Sequence, residues 1–157
     1  MGWWPCPDCC GGGGHSCVNC NGGSGPSNVS VSVSGISNNT CSYCSSWNGT
    51  YVLSPGVFNC LYTTCVSLSS PYCSGGLSGT ATVIYVDLVI SSSNIQVNFE
   101  PRRTCLNPFP FNSTRTVWND SSFSGDCSPG ASYTPTRTTG PSTNFCDYSS
   151  ATMTVTF

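Results

Sequence analysis

Charged side chains are scarce in this 157-residue chain. Only 6% of its residues are charged and none is lysine, whereas about 25% are charged in a typical soluble domain. Four arginines against six acids give a net charge of −2 and no basic patch, which excludes the usual footprint of nucleic-acid binding. So few titratable groups also leave little material for acid–base catalysis. We therefore expect a non-enzymatic protein with a nearly neutral surface.

Long apolar runs are missing as well. The chain has no stretch of about 18 apolar residues, so we expect no membrane insertion. Its first residues, Met-Gly-Trp-Trp-Pro-Cys, have neither the basic region nor the apolar core of a secretory signal. This start favours either a signal already removed or export by another route, such as assembly into a particle.

Cysteine, in contrast, is abundant and odd in number, at 13 residues. A reducing cytosol would keep that many thiols unpaired, so they indicate either an oxidising environment or bound metal. The predicted location is extracellular or on a virion surface. If every cysteine formed a disulfide, the odd count would require one bond to another chain.

The composition divides the chain near residue 26. Residues 1–25 are rich in Cys and Gly and contain little that could form a core, so they are predicted to be a small N-terminal arm or knot. Residues 26–157 carry the strand signals and are predicted to form one β-domain.

Period-two alternation of apolar and polar residues predicts the strands of that domain. Valines alternate with serines over residues 29–34, and apolar residues share one face over 80–90 and again over 95–99, which predicts a hairpin. Residues 151–157 alternate in the same way, so we expect the first and last strands to pair. Strand segments are predicted at Thr50–Ser54 and Val57–Tyr62 on either side of a hairpin turn at Ser54-Pro55-Gly56, and a further short strand is predicted at 115–119.

These strands predict an all-β fold, an antiparallel sandwich or barrel with long disulfide-stapled loops. The loops are placed mainly in the proline-rich region 101–146. Trp47 and Trp118 are expected to be partly buried packing residues.

Two C-x2-C pairs stand in the N-terminal segment, Cys6–Cys9 and Cys17–Cys20. Four thiolates at this spacing can close a tetrahedral zinc site, with Cys10 and His15 as substitute ligands. The cofactor prediction is therefore none or one structural zinc. The pattern resembles the C-x2-C-x-G-x-G zinc repeats of DnaJ-type chaperones over about 20 residues, without a J-domain.

A disulfide knot is the competing interpretation of this cluster, because the adjacent Cys9 and Cys10 would reach different partners. Crosslinks to another chain are a third. The remaining cysteines are predicted to form disulfides that staple the loops of the β-domain: Cys41, Cys44, Cys60, Cys65, Cys73, Cys105, Cys127 and Cys146.

The segment from Cys41-Ser-Tyr-Cys44 to Asn48-Gly-Thr-Tyr-Val-Leu53 resembles small cysteine-rich β-proteins of bacteria and phages. These share a C-x2-C…N-G-T-Y-x-L core after a valine-rich first strand. The resemblance covers roughly residues 28–90 and implies a β-fold in an exported context.

Polar candidates are few. Asp87 is predicted to be a solvated carboxylate on the outer face of its strand, and residues 100–103 to hold a surface ion pair. Trp3 and Trp4 lie outside any core strand and are candidates for contact with a neighbouring subunit. N-x-S/T sequons make five asparagines candidates for glycosylation: Asn28, Asn38, Asn48, Asn112 and Asn119.

The sequence thus predicts a structural or assembly subunit of a virion surface, a phage tail or an extracellular fibre. Its expected partners are copies of itself or other subunits of the assembly. A secreted adhesin or carbohydrate-binding module is the first alternative, and a zinc-stabilised interaction domain is the second.

Overall fold

The computed structural model describes residues 17, 19–20, 25–39, 42–68, 83–102, 104–105, 115–139 and 146–157. Within them the chain forms strands and one 3-10 helix, Cys44–Trp47. The strands are β1 (Val29–Ser34), β2 (Ser37–Asn38), β3 (Gly49–Pro55), β4 (Leu61–Ser67), β5 (Val83–Ile90), β6 (Ile95–Arg102), β7 (Thr116–Asp120), β8 (Ser132–Tyr133), β9 (Thr136–Thr139), β10 (Cys146–Asp147) and β11 (Thr152–Thr156).

One large antiparallel sheet carries most of these strands, in the order β8-β11-β1-β3-β4-β5-β6-β7-β9. β2 and β10 form a separate small pair. The large sheet curls so that its apolar side chains enclose one core. The predicted all-β antiparallel fold is therefore confirmed.

The first and last strands pair as their matching alternation predicts. Val31 lies opposite Val155 and Val33 opposite Met153, and all four side chains are buried. Serines and threonines occupy the alternate positions and point away from the core, because successive side chains of a strand project to opposite faces.

The predicted hairpin is β5–β6, with Ile90 opposite Ile95 at its turn. Its core-facing residues pack into the middle of the fold. Phe99 lies at the centre of an aromatic cluster and contacts the rings of Tyr51, Trp118 and Tyr148 edge-on at 5.6, 6.5 and 6.3 Å. Trp47 and Trp118 are 2% and 1% exposed, so they are fully rather than partly buried.

The region 101–146 departs from the prediction of long loops, because it contains β8 and β9 as well as β7. β8 pairs with β11 at one end of the sheet order, and β9 pairs with β7 at the other. Only residues 134 and 135 separate β8 from β9, so this short stretch of chain joins the two edges of the sheet. Joined edges leave less unpaired backbone for strand addition by another chain.

Candidate interaction surface

The structure places Cys17 and Cys20 in disulfides to the β-domain. Cys17 is bonded to Cys60, which lies just before β4, and Cys20 is bonded to Cys127, after β7. These bonds are at odds with Cys17 and Cys20 as zinc ligands, because a sulfur in a disulfide has no thiolate charge with which to bind the metal. For these two residues the geometry favours the disulfide interpretation over the metal site.

These two disulfides also cross the boundary predicted at residue 26. Asn19 lies between them and donates a hydrogen bond from Nδ2 to the carbonyl of Ile90, at 2.9 Å. The segment at residues 17–20 is therefore fastened to the end of the β4–β5 pair. The boundary itself remains a prediction, since residues 1–16 lie outside the described part of the chain.

The other disulfides of the described residues join Cys44 to Cys146 and Cys65 to Cys105. All eight cysteines in the described part of the chain are thus paired, four bonds in total. Disulfides in this number indicate a protein that works outside the reducing cytoplasm.

Several predicted site residues lie outside the described residues. These are the interface candidates Trp3 and Trp4, the ligand candidates Cys6, Cys9, Cys10 and His15, the disulfide candidates Cys41 and Cys73, and the sequon at Asn112. The structure says nothing about these positions, so the predictions made for them stand as predictions.

The four sequons within the described residues differ in their surroundings. Asn48 uses its side chain to bond the backbone of Ile36, both to N at 2.8 Å and to O at 2.9 Å. Asn119 bonds the Thr138 hydroxyl at 2.8 Å, and the Asn38 side chain accepts from the Ser45 amide. Asn28 is exposed. A glycan is joined to Nδ2, the atom from which Asn48 and Asn119 donate, whereas the bond at Asn38 uses Oδ1. The exposed Asn28 and Asn38 are therefore the better-placed acceptors of the four.

The outer face of β5–β6 carries a buried charged cluster. Asp87 is 7% exposed and accepts a hydrogen bond from Asn98, its cross-strand neighbour. The prediction of a solvated carboxylate at Asp87 is therefore wrong. Alternation correctly placed Asp87 opposite the core-facing residues, but it could not reveal that this second face is also covered.

Glu100 and Arg102 form an ion pair in the same cluster, with Arg102 Nη2 2.8 Å from Glu100 Oε2. The side chains are 1% and 6% exposed, so this pair is buried, unlike the surface pair predicted at residues 100–103. The Arg102 guanidinium also lies 3.8 Å from the centre of the Tyr85 ring, a cation–π contact.

Burial raises the pKa of Asp87, although its hydrogen bond from Asn98 and the charge of Arg102 act in the opposite direction. The folded protein therefore binds a proton at a pH where the unfolded chain has already released it. The contribution of Asp87 to stability consequently falls as the pH rises from the ordinary value of 3.8 through the raised pKa.

We expect Asp87→Asn to remove this pH dependence, because the amide keeps an oxygen that accepts from Asn98 and carries no charge. The variant should be more stable than the parent at pH 7, and the difference should shrink as the pH falls towards about 4. Urea unfolding of the parent and the variant between about pH 4 and pH 7 measures this difference in stability. Asp126→Asn is the matched control. The Ser128 hydroxyl and amide lower the pKa of exposed Asp126, so any pH dependence of stability that this carboxylate causes lies below about pH 4. An Asp87→Asn variant that gains nothing at pH 7 would contradict the argument.

The turn between β3 and β4 exposes two large apolar side chains. Val57 and Phe58 are 88% and 71% exposed, and we call them the hairpin tip. The turn is held by hydrogen bonds from the Gly56 amide to the Leu61 carbonyl and from the Leu61 amide to the Phe58 carbonyl. Cys60, bonded to Cys17, fixes its base. The tip is therefore an apolar projection on an anchored turn.

A cleft opens at the opposite end of the same hairpin. It has a volume of about 130 Å³, and its lining within the described residues includes Trp47, Tyr51, Val66, Leu68 and Ile84. The exposed residues Ser46 and Ser67 lie at its edge. The Tyr51 hydroxyl donates to the Trp47 carbonyl, and burial raises the pKa of Tyr51 to about 12. The cleft thus holds no ionised group from these residues near neutral pH.

Sequence reasoning missed both the tip and the cleft. Val57-Phe58 directly after Pro55-Gly56 was an available signal, since two large apolar residues within a tight turn have no core to enter. No comparable signal existed for the cleft, which depends on how two strands separate.

The described residues contain no helix of the length and apolarity that a membrane span requires. They also contain no group of three or more His, Cys, Asp or Glu side chains placed to hold a metal ion. No family model, curated protein or solved structure matches the chain, so its function has to be argued from the surface described above.

Proposed function

We propose that the protein is a non-enzymatic assembly subunit that works outside the cytoplasm, in an extracellular fibre or on a virion surface. The observation that carries this proposal is the hairpin tip, whose Val57 and Phe58 are 88% and 71% exposed. Exposed aromatic and aliphatic side chains on an anchored turn lose little conformational freedom on binding, which favours their use as an interface anchor.

The neutral outer face of the sheet supports association between copies. Serine and threonine hydroxyls line the outer face of β1, β3 and β11, and Ser32 Oγ lies 2.9 Å from Thr50 Oγ1. With 6% charged residues, two copies meet little long-range repulsion. The disulfides keep such a subunit folded once it has been exported.

The carbohydrate-binding alternative has less support from the geometry. Trp47 borders the cleft but is 2% exposed, so its ring has no free face on which a sugar could stack. The cleft volume, about 130 Å³, is also below the roughly 300–1,000 Å³ that is usual for small-molecule sites.

Sedimentation velocity of the oxidised full-length chain tests the proposal. We expect species larger than the monomer to increase with protein concentration, at a salt dependence far weaker than that of charge-driven association. A chain that remains strictly monomeric up to its solubility limit would rule out self-assembly. Electron microscopy of the same samples distinguishes ordered fibres from amorphous aggregates, and only ordered assemblies support the proposal.

A further inference from the structure

The cleft arises because β3 and β4 separate. β3 pairs with β4 only at Ser54–Thr63 and Pro55–Tyr62, next to the turn, along two strands that are described in full. Over Gly49–Leu53, β3 instead follows β1. The two strands therefore diverge away from the tip and leave a gap between them.

Val66 shows the consequence of this gap. It lies on the same face of β4 as Tyr62, and the two residues pair with Ile84 and Leu88 of β5. Tyr62 is fully buried, yet Val66 is 41% exposed. A side chain in a core-facing position has thus become the accessible floor of a cleft. Ile84 and Leu68 add further apolar lining.

The size of the cleft suits one aromatic ring. Its volume is about 130 Å³, and an apolar protein cavity of about 150 Å³ binds benzene. Phe58, at the other end of the hairpin, presents such a ring to solvent. The same chain therefore carries an apolar projection and an apolar receptor of matching size.

From this we propose that Phe58 of one copy inserts into the β3–β4 cleft of the next copy. The inference rests on the proposed function, and it names the contact that joins the subunits. Val57 would pack at the edge of the cleft, while Ser46 and Ser67 would supply a neutral polar rim of the kind that surrounds an interface anchor.

The two surfaces lie at opposite ends of a strand of seven residues, β4, and thus roughly 20 Å apart at about 3.3 Å per residue. Two copies placed antiparallel exchange their tips and close a dimer, whereas copies placed in line continue into a ring or an open fibre. Sedimentation of the parent distinguishes the two arrangements, and only the in-line arrangement suits a fibre. Insertion of a single ring buries less than the roughly 1,200 Å² of a stable binary interface, so the contact is weak for one pair and needs a concentration series to be seen.

Single substitutions test the two halves of the contact. Phe58→Ser removes the projection, and Val66→Asp places a charge on the floor of the cleft. Each should weaken association by on the order of 30-fold, the effect of losing an interface anchor. Val52→Ser is the matched control, because Val52 is 55% exposed on β3 but belongs to neither surface, and it should assemble like the parent. Ser67→Arg blocks the rim of the cleft without changing a core-facing position, so it replaces Val66→Asp if that variant misfolds.

Mixing the two defective variants gives the decisive result. At a concentration just high enough for the parent to assemble, neither variant should assemble alone, but the Val66→Asp copy keeps its tip and the Phe58→Ser copy keeps its cleft. An equimolar mixture should therefore form one-to-one dimers and nothing larger. A mixture that stays monomeric, although the parent assembles, would overturn the tip-in-cleft contact.

The outcomes separate this inference from the proposed function. If Phe58→Ser assembles as readily as the parent, the contact is wrong while self-assembly stands. If the parent itself never assembles, the proposed function fails, and this inference fails with it.

Discussion

Replacing Cys44 and Cys146 together by alanine is expected to lower the free energy of unfolding by about 4 kcal/mol. The bond between them spans 102 residues of sequence, and closing a loop of about 100 residues restricts the unfolded chain by up to about 4.7 kcal/mol in the chain-entropy model. The remaining disulfides shorten the loop that is actually freed, which reduces this figure. Removing both cysteines avoids leaving a thiol that would exchange with the other bonds.

Removal of the Cys44–Cys146 disulfide should also alter the cleft. Cys44 begins the 3-10 helix that ends at Trp47, and Trp47 forms one wall of the cleft. Urea unfolding followed by fluorescence measures the stability, and sedimentation measures the assembly. The matched control is Cys65→Ala with Cys105→Ala, whose bond spans 40 residues and should stabilise less because the loop is shorter. A Cys44/Cys146 loss below about 1 kcal/mol would contradict the chain-entropy argument.

Local alternation was sufficient to predict much of the sheet. β1, β5, β6 and β11 each place alternate apolar residues in the core, and the pattern of each is complete within the strand itself. β9 escaped prediction because Thr136–Thr139 has no apolar alternation. Its place in the sheet comes from backbone pairing with β7, and backbone pairing does not require a particular pattern of side chains.

Features that depend on contacts between distant parts of the chain could not be predicted from local sequence patterns. The partners of Cys17 and Cys20 lie 43 and 107 residues away, and no spacing rule connects them. The cleft forms because residues Gly49–Leu53 of β3 pair with β1, while β3 pairs with β4 only next to the turn. This pairing involves strands that are far apart in the sequence. Val66 therefore has the sequence pattern of a buried residue and the exposure of a surface residue.

The charged cluster on β5–β6 illustrates a different limit. Period two identifies two faces of a strand but does not say whether the second face meets water. One signal was present in the composition. In a chain with only ten charged residues, Asp87, Glu100 and Arg102 all fall on one face of one hairpin, and such concentration favours mutual pairing over solvation.

Loss of the Arg102 guanidinium is expected to be among the most damaging single changes. In Arg102→Leu, the carboxylate of Glu100, 1% exposed, keeps its burial and loses the charge 2.8 Å away. Removing one partner of a buried ion pair costs about 3–5 kcal/mol. The contact with the Tyr85 ring disappears as well.

Glu100→Leu combined with Arg102→Leu should recover much of that loss, because a buried ion pair often stabilises no more than apolar residues of similar volume. Urea unfolding of the parent, the two single variants and the double variant closes a cycle that gives the coupling energy directly. A cycle with no coupling would show that Arg102 acts through packing alone.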